Sequence, residues 1–565
     1  MKSPLPQCLV DVMYAWNLNV ALVPPDFKPC FRGTISVAGK SFQIRVTNID
    51  PTFERLPKIY LEDVPQELSG QTLPHVNPDG SLCYVDLEGE FFDPLSPERA
   101  MVSCLYRMEA TLALLLKGEY DKEFDAEFSS YWRSNEHLYL RSDSSKASAY
   151  FYKNEGMTQA VIAEDLSQAQ AWIKSVQGAQ LKEAPLPVLN LQLRRPARVP
   201  MGMTWPPVKT TDLFNWLAVI DRPALSQLAS KLPALLLENL SVILVIHTGD
   251  GPIAVGMEFH KSIKPLVQRA AGKRQRQRVP EKDRLTSLSS SRNQAAFFLL
   301  QVHNATDDFL LCRNRPENST LKNKRIALIG CGTIGGYAAQ LLCQVGAGAG
   351  NGSLTLYDMD QLETHNLGRH ILGAQDLGKD KSQALASYLR SNSITARSVH
   401  ARQRFTEVDA SKYELIIDAT GNENFSTQLP LWVNKLNGIG ARPTLLHGWV
   451  DAGGWATRAL LDDGSAACYG CLRHRTEDQY LTERFQIFGQ RGEQPPGIRR
   501  QCGSSYQPYD SAASVTAAAL IQQLACEFAS GAPSVYFKHY GLRPSLKQTK
   551  DGSPSRLKGR PLCRT

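Results

Sequence analysis

A glycine-rich turn between a buried strand pattern and a helix pattern constrains this chain more than any other feature. The apolar segment RIALIG ends at Gly330, and Gly332 and Gly335 follow just before the helix pattern YAAQLLCQ. Glycines at this spacing allow a tight turn and a close approach of the backbone to phosphate groups, while the helix N-terminus supplies a partial positive charge. The sequence therefore predicts a phosphate-binding turn.

The segments around this turn predict a doubly wound parallel sheet. The strand patterns SLTLYD, ARSVHA and YELIIDATG alternate with helix patterns such as KSQALASYLRS. Alternation of this kind is typical of Rossmann-like α/β domains. We assign residues 305–542 to such a domain and the basic, polar stretch 543–565 to a disordered tail.

Two domains are predicted before it. Residues 1–140 contain the helix pattern LVDVMYAW, the strand patterns GTISVAG, KSFQIRVTN and KIYLEDV, and a long helix pattern, SPERAMVSCLYRMEATLALLL. This order predicts a compact α+β domain. Residues 141–304 contain the strand patterns SVILVIHT and IAVGMEF, which are joined by a GDG turn that favours a hairpin. We interpret this stretch as a connecting α+β domain.

Composition excludes several classes of protein. The 565 residues are 42% apolar and carry 63 basic and 55 acidic side chains, a net charge of +8. These values exclude a wholly disordered chain and give no signature of nucleic-acid binding. No apolar run reaches the roughly 18 residues of a membrane helix, and the N-terminus lacks a signal-peptide pattern. We expect a cytoplasmic protein whose twelve cysteines remain thiols.

The residues beyond the glycine turn favour ATP over a dinucleotide. Asp358 ends the second strand pattern, where it can accept hydrogen bonds from ribose hydroxyls. Asn366 and Arg369 follow, and Lys381 begins the next helix pattern. A triphosphate needs such cations because charge builds up on the leaving pyrophosphate when a nucleophile attacks the α-phosphorus. Solvated surface charges are the alternative for the two cations, and a nicotinamide oxidoreductase is the alternative for the domain.

The motifs GCGTIGG, LYDMD, HNLGRH and GKDK together resemble the adenylation domain of ubiquitin-activating enzymes and of the bacterial relatives that adenylate sulfur-carrier proteins. The resemblance covers most of residues 324–537. It implies that the three glycines line the phosphates and that Asp358 holds the ribose. It also implies that the triphosphate is contacted by Asn366, Arg369 and Lys381.

The same resemblance implies magnesium as a cofactor beside ATP. Members of this family usually have an acid–asparagine pair after the fourth strand that helps to place the metal. Here Gly421 stands at the position of the acid, before Asn422. Asp418 is the expected substitute.

A zinc site is a further hypothesis. Cys468 and Cys471 have the two-residue spacing of a zinc half-site. The family often completes such a site with a second pair near the C-terminus, where this chain has only the single Cys526 and Cys563. Buried thiols are the alternative, because a closed tetrahedral site needs four ligands.

Cys502 is a candidate nucleophile. It lies in the segment RRQCGSS, and neighbouring arginines favour the nucleophilic thiolate. In activating enzymes a cysteine on a crossover loop takes up the adenylated carboxylate as a thioester, and Cys502 matches that cysteine in place and surroundings. An inert surface cysteine is the alternative.

Cys83 is a second candidate nucleophile. The segment LPHVNPDGSLC and the preceding strands, with LPKIY, resemble ubiquitin-conjugating enzymes over nearly all of the first predicted domain. That family usually has a His-Pro-Asn motif whose Asn stabilises the thioester's oxyanion. Leu73-Pro74-His75 stands in its place, so His75 would take this role as an N–H donor. The alternatives are a hydrolytic cysteine–histidine pair, for which the sequence shows no acidic partner, and a core cysteine.

A conjugating-type half and an activating-type half on one chain resemble the bacterial fusion proteins of type II CBASS antiphage operons. The resemblance implies that the C-terminal carboxylate of a cGAS-like nucleotidyltransferase is joined to a lysine amine of a target protein, with Cys502 and then Cys83 as carriers. It also implies a partner peptidase that reverses the linkage, and a homodimer. The alternatives are an enzyme that only adenylates a sulfur-carrier-like protein and a non-catalytic nucleotide-binding scaffold.

Overall fold

The computed structural model describes residues 5–541, apart from residues 24–27, 71, 78, 86–91, 119–122, 124–126, 176–179, 182–183, 201–202, 204, 272–278, 314, 316–318, 437–440, 476, 478–480, 485–497, 502–503 and 507. The predicted tail, Cys502 and Cys563 therefore lie outside the described residues. The chain forms two compact units, residues 1–306 and residues 307–565.

The first unit begins with a small antiparallel sheet and two helices. Its four strands pair in chain order, as β1 (Leu18–Val23), β2 (Lys28–Val37), β3 (Lys40–Thr47) and β4 (Lys58–Asp63). The helices are α1 (Gln7–Ala15) and α2 (Pro97–Lys117). In β3 the side chains of Phe42, Ile44 and Val46 are buried in the same core as the apolar faces of both helices. Period-two burial of this kind is what the alternating sequence predicts.

The rest of the first unit is built around a larger sheet. Its strands are β5 (His137–Leu140), β6 (Ser148–Asn154), β7 (Met157–Ala163), β8 (Gln180–Leu181), β9 (Leu186–Gln192), β10 (Ser241–His247), β11 (Pro252–Phe259) and β12 (Gln294–Asn304). They follow the order β7-β5-β12-β11-β10-β9-β6-β8, and β6 also pairs with β7, which closes the sheet on itself. The predicted hairpin is the antiparallel pair β10–β11. β5 belongs to this sheet although it lies within the first predicted domain.

Helices cover one side of this larger sheet. They are α3 (Leu166–Ser175), α4 (Thr210–Ile220), α5 (Arg222–Leu235), α6 (Lys264–Ala271) and α7 (Glu281–Ser289). α4, α5 and α6 share an apolar core with β9, β10 and β11, and this core also contains the fully buried Trp132 and Trp216. A separate apolar cluster, with Leu138, Ile162 and Val245 among its members, draws on seven of the strands. Such a cluster is expected inside a closed sheet.

The second unit has the predicted doubly wound sheet. Its strands are β13 (Arg325–Ile329), β14 (Ser353–Tyr357), β15 (Val399–Arg402), β16 (Leu415–Asp418), β17 (Thr444–Asp451), β18 (Ala456–Asp462), β19 (Arg473–Arg475), β20 (Leu481–Glu483), β21 (Ile498–Gln501), β22 (Ser504–Tyr506) and β23 (Phe537–Gly541). The main sheet has the order β15-β14-β13-β16-β17-β18-β23, and its first five strands are parallel. β19–β20 and β21–β22 form separate pairs.

Among the described residues of this unit, the helices are α8 (Asp307–Cys312), α9 (Thr333–Gln344), α10 (Lys381–Asn392), α11 (Glu423–Lys435) and α12 (Ser511–Ala529). Within the described part of the chain, α12 is the one helix long and apolar enough to cross a membrane. It contacts α9, β17 and β18, and Ala517, Ile521 and Leu524 are fully buried there. The core helix of a folded domain can be equally long and apolar, and α12 packs as such a core helix.

Candidate active sites

The glycine turn joins β13 to α9 as the sequence predicts. Gly330 has a φ of 89°, a left-handed conformation that favours glycine. A Cβ on Gly335 would lie 1.8 Å from the carbonyl oxygen of Gly330, so only glycine lets the helix approach the strand end this closely. A Cβ on Gly332, which precedes the first residue of α9, would meet nothing within 4 Å. The turn thus has one tightly packed face and one open face at a helix N-terminus, where phosphate groups bind.

Asp358 and His370 hold this turn through Cys331. Oδ2 of Asp358 accepts a hydrogen bond from the backbone N–H of Cys331 at 2.7 Å. His370 is buried; its Nε2 lies 2.9 Å from the carbonyl oxygen of Cys331, and its Nδ1 accepts from the N–H of Leu372 at 3.1 Å. These partners require the Nε2–H tautomer. Burial lowers the pKa of His370, which keeps the ring neutral. No role for His370 was predicted from the sequence.

The predicted cations lie near the turn in different environments. The Lys381 side chain is 9% exposed, and its Nζ lies 3.1 Å from Oδ2 of Asp360. The Arg369 guanidinium lies 4.4 Å above the ring of Tyr509, and its buried Nε has no hydrogen-bond partner among the described residues. Neither Lys381 nor Arg369 is therefore a freely solvated surface charge, which was the alternative interpretation of these two cations.

Asn366 caps a short helical turn. Its Oδ1 accepts a hydrogen bond from the backbone N–H of Glu363 at 3.0 Å, and the side chain is buried. This contact gives Asn366 a local structural role. Its predicted contact with the triphosphate stays a prediction.

Asp418 is committed to hydrogen bonds with the protein. Oδ1 accepts from the backbone N–H and the hydroxyl of Thr420, at 3.0 and 2.7 Å, and Oδ2 accepts from Ser426 Oγ and from His447 Nδ1, the latter at 3.0 Å. Although burial opposes ionisation, the hydrogen bonds of His447, Ser426 and Thr420 hold the pKa of Asp418 below its usual range. Gly421 has a φ of 64° and no side chain to offer in place of the usual acid. A carboxylate with both oxygens occupied does not fit a magnesium ligand, so we derive no step through that metal.

The predicted zinc half-site is a pair of buried thiols. The sulfur atoms of Cys468 and Cys471 are 3.7 Å apart at a short helical turn. In the described ranges no group of three or more His, Cys, Asp or Glu residues could hold a metal ion. Zinc at this pair stays a prediction, and Cys563 lies outside the described residues.

The loop that carries Cys83 is fixed against β4. The N–H of Leu82 donates to the carbonyl of Ile59, and the N–H of Cys83 donates to the carbonyl of His75, both at 2.8 Å. These bonds bring His75 and Cys83 together, and the Cys83 side chain is exposed. Because the thiol of Cys83 is exposed, it is accessible to a reaction partner. This exposure excludes the alternative that Cys83 is a core cysteine.

His75 lies at the centre of a polar cluster that the sequence did not reveal. Its backbone N–H donates to Glu127 Oε1 at 2.9 Å and to the Tyr131 hydroxyl oxygen at 2.7 Å. Nε2 of its ring lies 3.1 Å from Glu123 Oε2, and Nδ1 lies 3.4 Å from Glu127 Oε1. His75 has a φ of 60°, which is uncommon for a side-chain-bearing residue, so these contacts hold a strained conformation.

This cluster keeps the His75 ring positively charged. A hydrogen bond with Cys83, opposed by burial and reinforced by the carboxylates of Glu127 and Glu123, raises the pKa of His75 to about 9. At neutral pH the ring therefore donates protons in hydrogen bonds and does not act as a base. A charged donor beside Cys83 suits stabilisation of an oxyanion, the role predicted for His75.

The structure places two acidic partners at His75 that were not evident from the sequence. Glu123 and Glu127 lie 48 and 52 residues further along the chain, which is why the loop motif gave no sign of them. Their spacing of four residues, typical of one helix face, was the available signal. His370 and His447 could have been singled out as candidates because each is a histidine in an unusual setting. His370 lies within the HNLGRH motif, and His447 lies within an apolar strand pattern.

Comparisons with known proteins give matches along both units. A model of the ThiF family matches residues 311–553, and a model of prokaryotic E2 family B matches residues 26–141. The ATP-dependent ubiquitin transferase-like protein Cap2 of Vibrio cholerae is 31% identical over 86% of this chain and 86% of its own length. The Escherichia coli protein of the same name is 30% identical over 86% of this chain and 85% of its own. A crystal structure of E. coli MccB with ATP aligns with 40% of this chain and 67% of that chain at 19% identity, with a TM-score of 0.27, too low to bear on the fold.

Proposed function

The chain belongs to the Cap2 family of ATP-dependent ubiquitin transferase-like proteins, with an E2-like N-terminal domain and a ThiF-type adenylation domain, and from this we propose a full conjugation cycle for it. In that cycle the chain activates the C-terminal carboxylate of a partner protein, carries the acyl group on two cysteines and transfers it to an amine. The observation that carries the proposal is the exposed Cys83 beside a charged His75, on the same chain as a phosphate-binding turn flanked by cations.

The first proposed step is adenylation. ATP binds with its phosphates at the open face of Gly332 and its ribose at Asp358. A carboxylate oxygen of the partner forms a bond to the α-phosphorus, and the bond between that phosphorus and the bridging oxygen of the β-phosphate breaks. The products are an acyl-adenylate and pyrophosphate. Lys381 and Arg369 offset the charge that builds up on the leaving group.

Two thiol steps follow in the proposal. The Cys502 thiol loses its proton, its sulfur bonds to the acyl carbon, and AMP leaves. Cys83 then takes the acyl group, and the Cys502 sulfur recovers a proton. The nitrogen of a target lysine amine then bonds to the acyl carbon of the Cys83 thioester, the carbon–sulfur bond breaks, and the Cys83 sulfur takes up the proton that the amine loses, which leaves an amide and a free thiol. The His75 ring donates to the oxyanion in this last step, because its charge makes it a strong donor.

The partners form part of the same proposal. We propose that the activated protein is a cGAS-like nucleotidyltransferase, that a separate peptidase reverses the linkage, and that the chain acts as a homodimer in the cytoplasm. The two partners and the homodimer rest on the resemblance of the fused halves to the CBASS proteins, and the cytoplasmic location rests on the sequence patterns described above.

ATP–pyrophosphate exchange tests the activation step. The purified chain is mixed with ATP, magnesium and labelled pyrophosphate, with and without the nucleotidyltransferase from the same genome. We expect exchange that depends on the nucleotidyltransferase and is lost in Lys381→Met but retained in Lys379→Met, whose side chain is 57% exposed. Exchange with a sulfur-carrier protein instead would favour the adenylation-only alternative. Binding of the nucleotidyltransferase without any exchange would favour the scaffold.

A further inference from the structure

Residues 127–134, which we call the anchor segment, lie between the Cys83 loop and the larger sheet of the first unit. Phe128 and Trp132 of this segment are fully buried in the core of the larger sheet. The ring of Phe128 stacks on that of Trp216 with 5.7 Å between the centroids, and the ring of Trp132 lies 5.4 Å from that of Trp205. The anchor segment therefore packs with the larger sheet, although it falls within the first predicted domain.

Two side chains of the anchor segment bind the backbone of β12. Nε1 of Trp132 donates to the carbonyl of Leu300 at 3.1 Å, and the hydroxyl of Ser134 donates to the carbonyl of Leu299 at 2.7 Å. In the larger sheet β12 lies between β5 and β11. These two bonds thus attach one end of the anchor segment to a strand that is paired on both sides.

Asp250 is the third attachment of the anchor segment. It lies in the turn of the β10–β11 hairpin, and its Oδ2 accepts a hydrogen bond from the backbone N–H of Ser129 at 2.8 Å. Its Oδ1 accepts from the Thr248 hydroxyl at 2.9 Å, which orients the carboxylate. Ser129 lies in the short helical turn Phe128–Tyr131, and N–H groups at the start of such a turn have no partner within it. The hairpin of the larger sheet therefore caps the anchor segment.

The anchor segment in turn contacts the Cys83 loop at two points. Two of its side chains accept the hydrogen bonds from the backbone N–H of His75 described above. Nη2 of Arg133 donates to Oδ1 of Asn77 at 2.9 Å, and Nδ2 of Asn77 donates to Ser81 Oγ at 3.1 Å. The φ of 60° at His75 is a conformation that persists only where the surroundings impose it. The contacts of the anchor segment supply this constraint.

We propose that the larger sheet, through the anchor segment, holds His75 and Asn77 in the geometry that acyl transfer from Cys83 requires. Asp250 and Arg133 are positioning residues, because each acts on the loop through other residues. The inference rests on the proposed function for the reaction it serves and goes beyond it, since it gives the predicted connecting domain a role at the thioester site.

Hydrogen–deuterium exchange of the full chain tests the positioning without ATP or a partner protein. In Asp250→Ala we expect peptides that contain His75 and Cys83 to exchange about fivefold faster, as for the loss of one hydrogen bond. The control is Asp165→Ala, an exposed residue before α3 that accepts from the N–H of Gln168 at 2.9 Å and should leave the loop unchanged. Unchanged exchange of the loop in Asp250→Ala would overturn the inference. An equal increase in the peptides of β3 would also overturn it, because the effect would then be a general destabilisation.

Arg133→Met tests the other side of the anchor segment. The Arg133 side chain is exposed, so its replacement leaves the buried contacts with the larger sheet intact. We expect the loop peptides again to exchange about fivefold faster, whereas the melting temperature should stay within about 2 °C of the wild-type value. Wild-type exchange of the loop in this variant would overturn the inference even if Asp250→Ala does not fold.

Discharge of the Cys83 thioester to free lysine measures the effect on the reaction. The chain is charged with ATP and the nucleotidyltransferase, ATP is removed, and lysine is added. We expect Asp250→Ala to slow discharge about fivefold in a chain with His75, and less than about twofold in the His75→Ala background, because Asp250 acts through His75. Equal slowing in both backgrounds would overturn the inference. Failure of the wild-type chain to form any Cys83 thioester would instead count against the proposed function.

Discussion

Oε1 of Glu127 accepts a hydrogen bond from the backbone N–H of His75 at 2.9 Å and lies 3.4 Å from Nδ1 of the same residue. One carboxylate thus holds both the backbone and the charge of the histidine beside Cys83. The Tyr131 hydroxyl donates to the same oxygen, which keeps the carboxylate in place. Beside the hydrogen bond with Cys83, the charge on His75 thus depends on a residue 52 positions away.

Replacement of Glu127 should change how the protein responds to pH. The pKa of His75 is raised from 6.5 to about 9, so the stabilisation from its charged form is complete below 6.5 and is lost as the pH rises through 9. We expect Glu127→Gln to be destabilised by about 1–2 kcal/mol at neutral pH, and this difference should shrink above pH 9. Thermal melting across this range measures it, with the exposed Glu54→Gln as the control.

The same variant should alter acyl transfer. In the proposed mechanism, transfer from Cys83 to an amine needs the protonated His75. In the wild-type chain, the part of the transfer rate that depends on His75 should therefore be lost as the pH approaches 9. In Glu127→Gln, the same loss should occur at a lower pH. Single-turnover discharge of a preformed Cys83 thioester measures this rate. Identical pH profiles for the two proteins would rule out a role for His75 as a charged donor.

Alanine substitutions at Gly335 and Gly332 should have different effects, the first on stability and the second on ATP binding. In Gly335→Ala the new methyl group collides with the Gly330 carbonyl, and we expect a loss of about 3 kcal/mol in stability, the upper range for overpacking. In Gly332→Ala the methyl group has open space, so the protein should melt normally and bind ATP at least about tenfold more weakly, because the methyl lies where the phosphates approach. Melting curves and the KM for ATP distinguish the effect of Gly335→Ala from that of Gly332→Ala. Normal ATP binding by Gly332→Ala would contradict this placement of the phosphates.

The buried His370 should matter for the turn it supports. His370→Ala removes the ring that contacts the Cys331 carbonyl, and we expect a loss of about 2–3 kcal/mol in stability together with a higher KM for ATP. The exposed His400→Ala serves as the control and should change stability by less than about 0.5 kcal/mol. An unchanged KM for ATP in a folded His370→Ala protein would show that the turn does not need this support.

The doubly wound sheet could be predicted because its information is local. Each of β13, β14 and β16 is a short apolar run with helix-forming residues nearby, and the glycine spacing marks where the phosphates bind. The nearness of His75 and Cys83 was also within reach, since both belong to one loop.

The remaining features depend on contacts between distant segments. The larger sheet depends on the pairing of β5 with β12, segments more than 150 residues apart, and no local pattern reveals such a partner. His447 lies within an apolar strand, and only the register of that strand shows that it lies beside Asp418. The saturation of Asp418 by hydrogen bonds was only partly visible, because Thr420 is two residues away in the sequence, whereas Ser426 and His447 approach from α11 and β17.

Non-reducing gel electrophoresis can detect the proposed passage of an acyl group from Cys502 to Cys83. The wild-type chain, Cys83→Ala and Cys502→Ala are incubated with ATP, magnesium and the nucleotidyltransferase. We expect a thiol-sensitive adduct that persists in Cys83→Ala, where it is held by Cys502, and that disappears in Cys502→Ala. An adduct on Cys83 in the Cys502→Ala protein would contradict the relay.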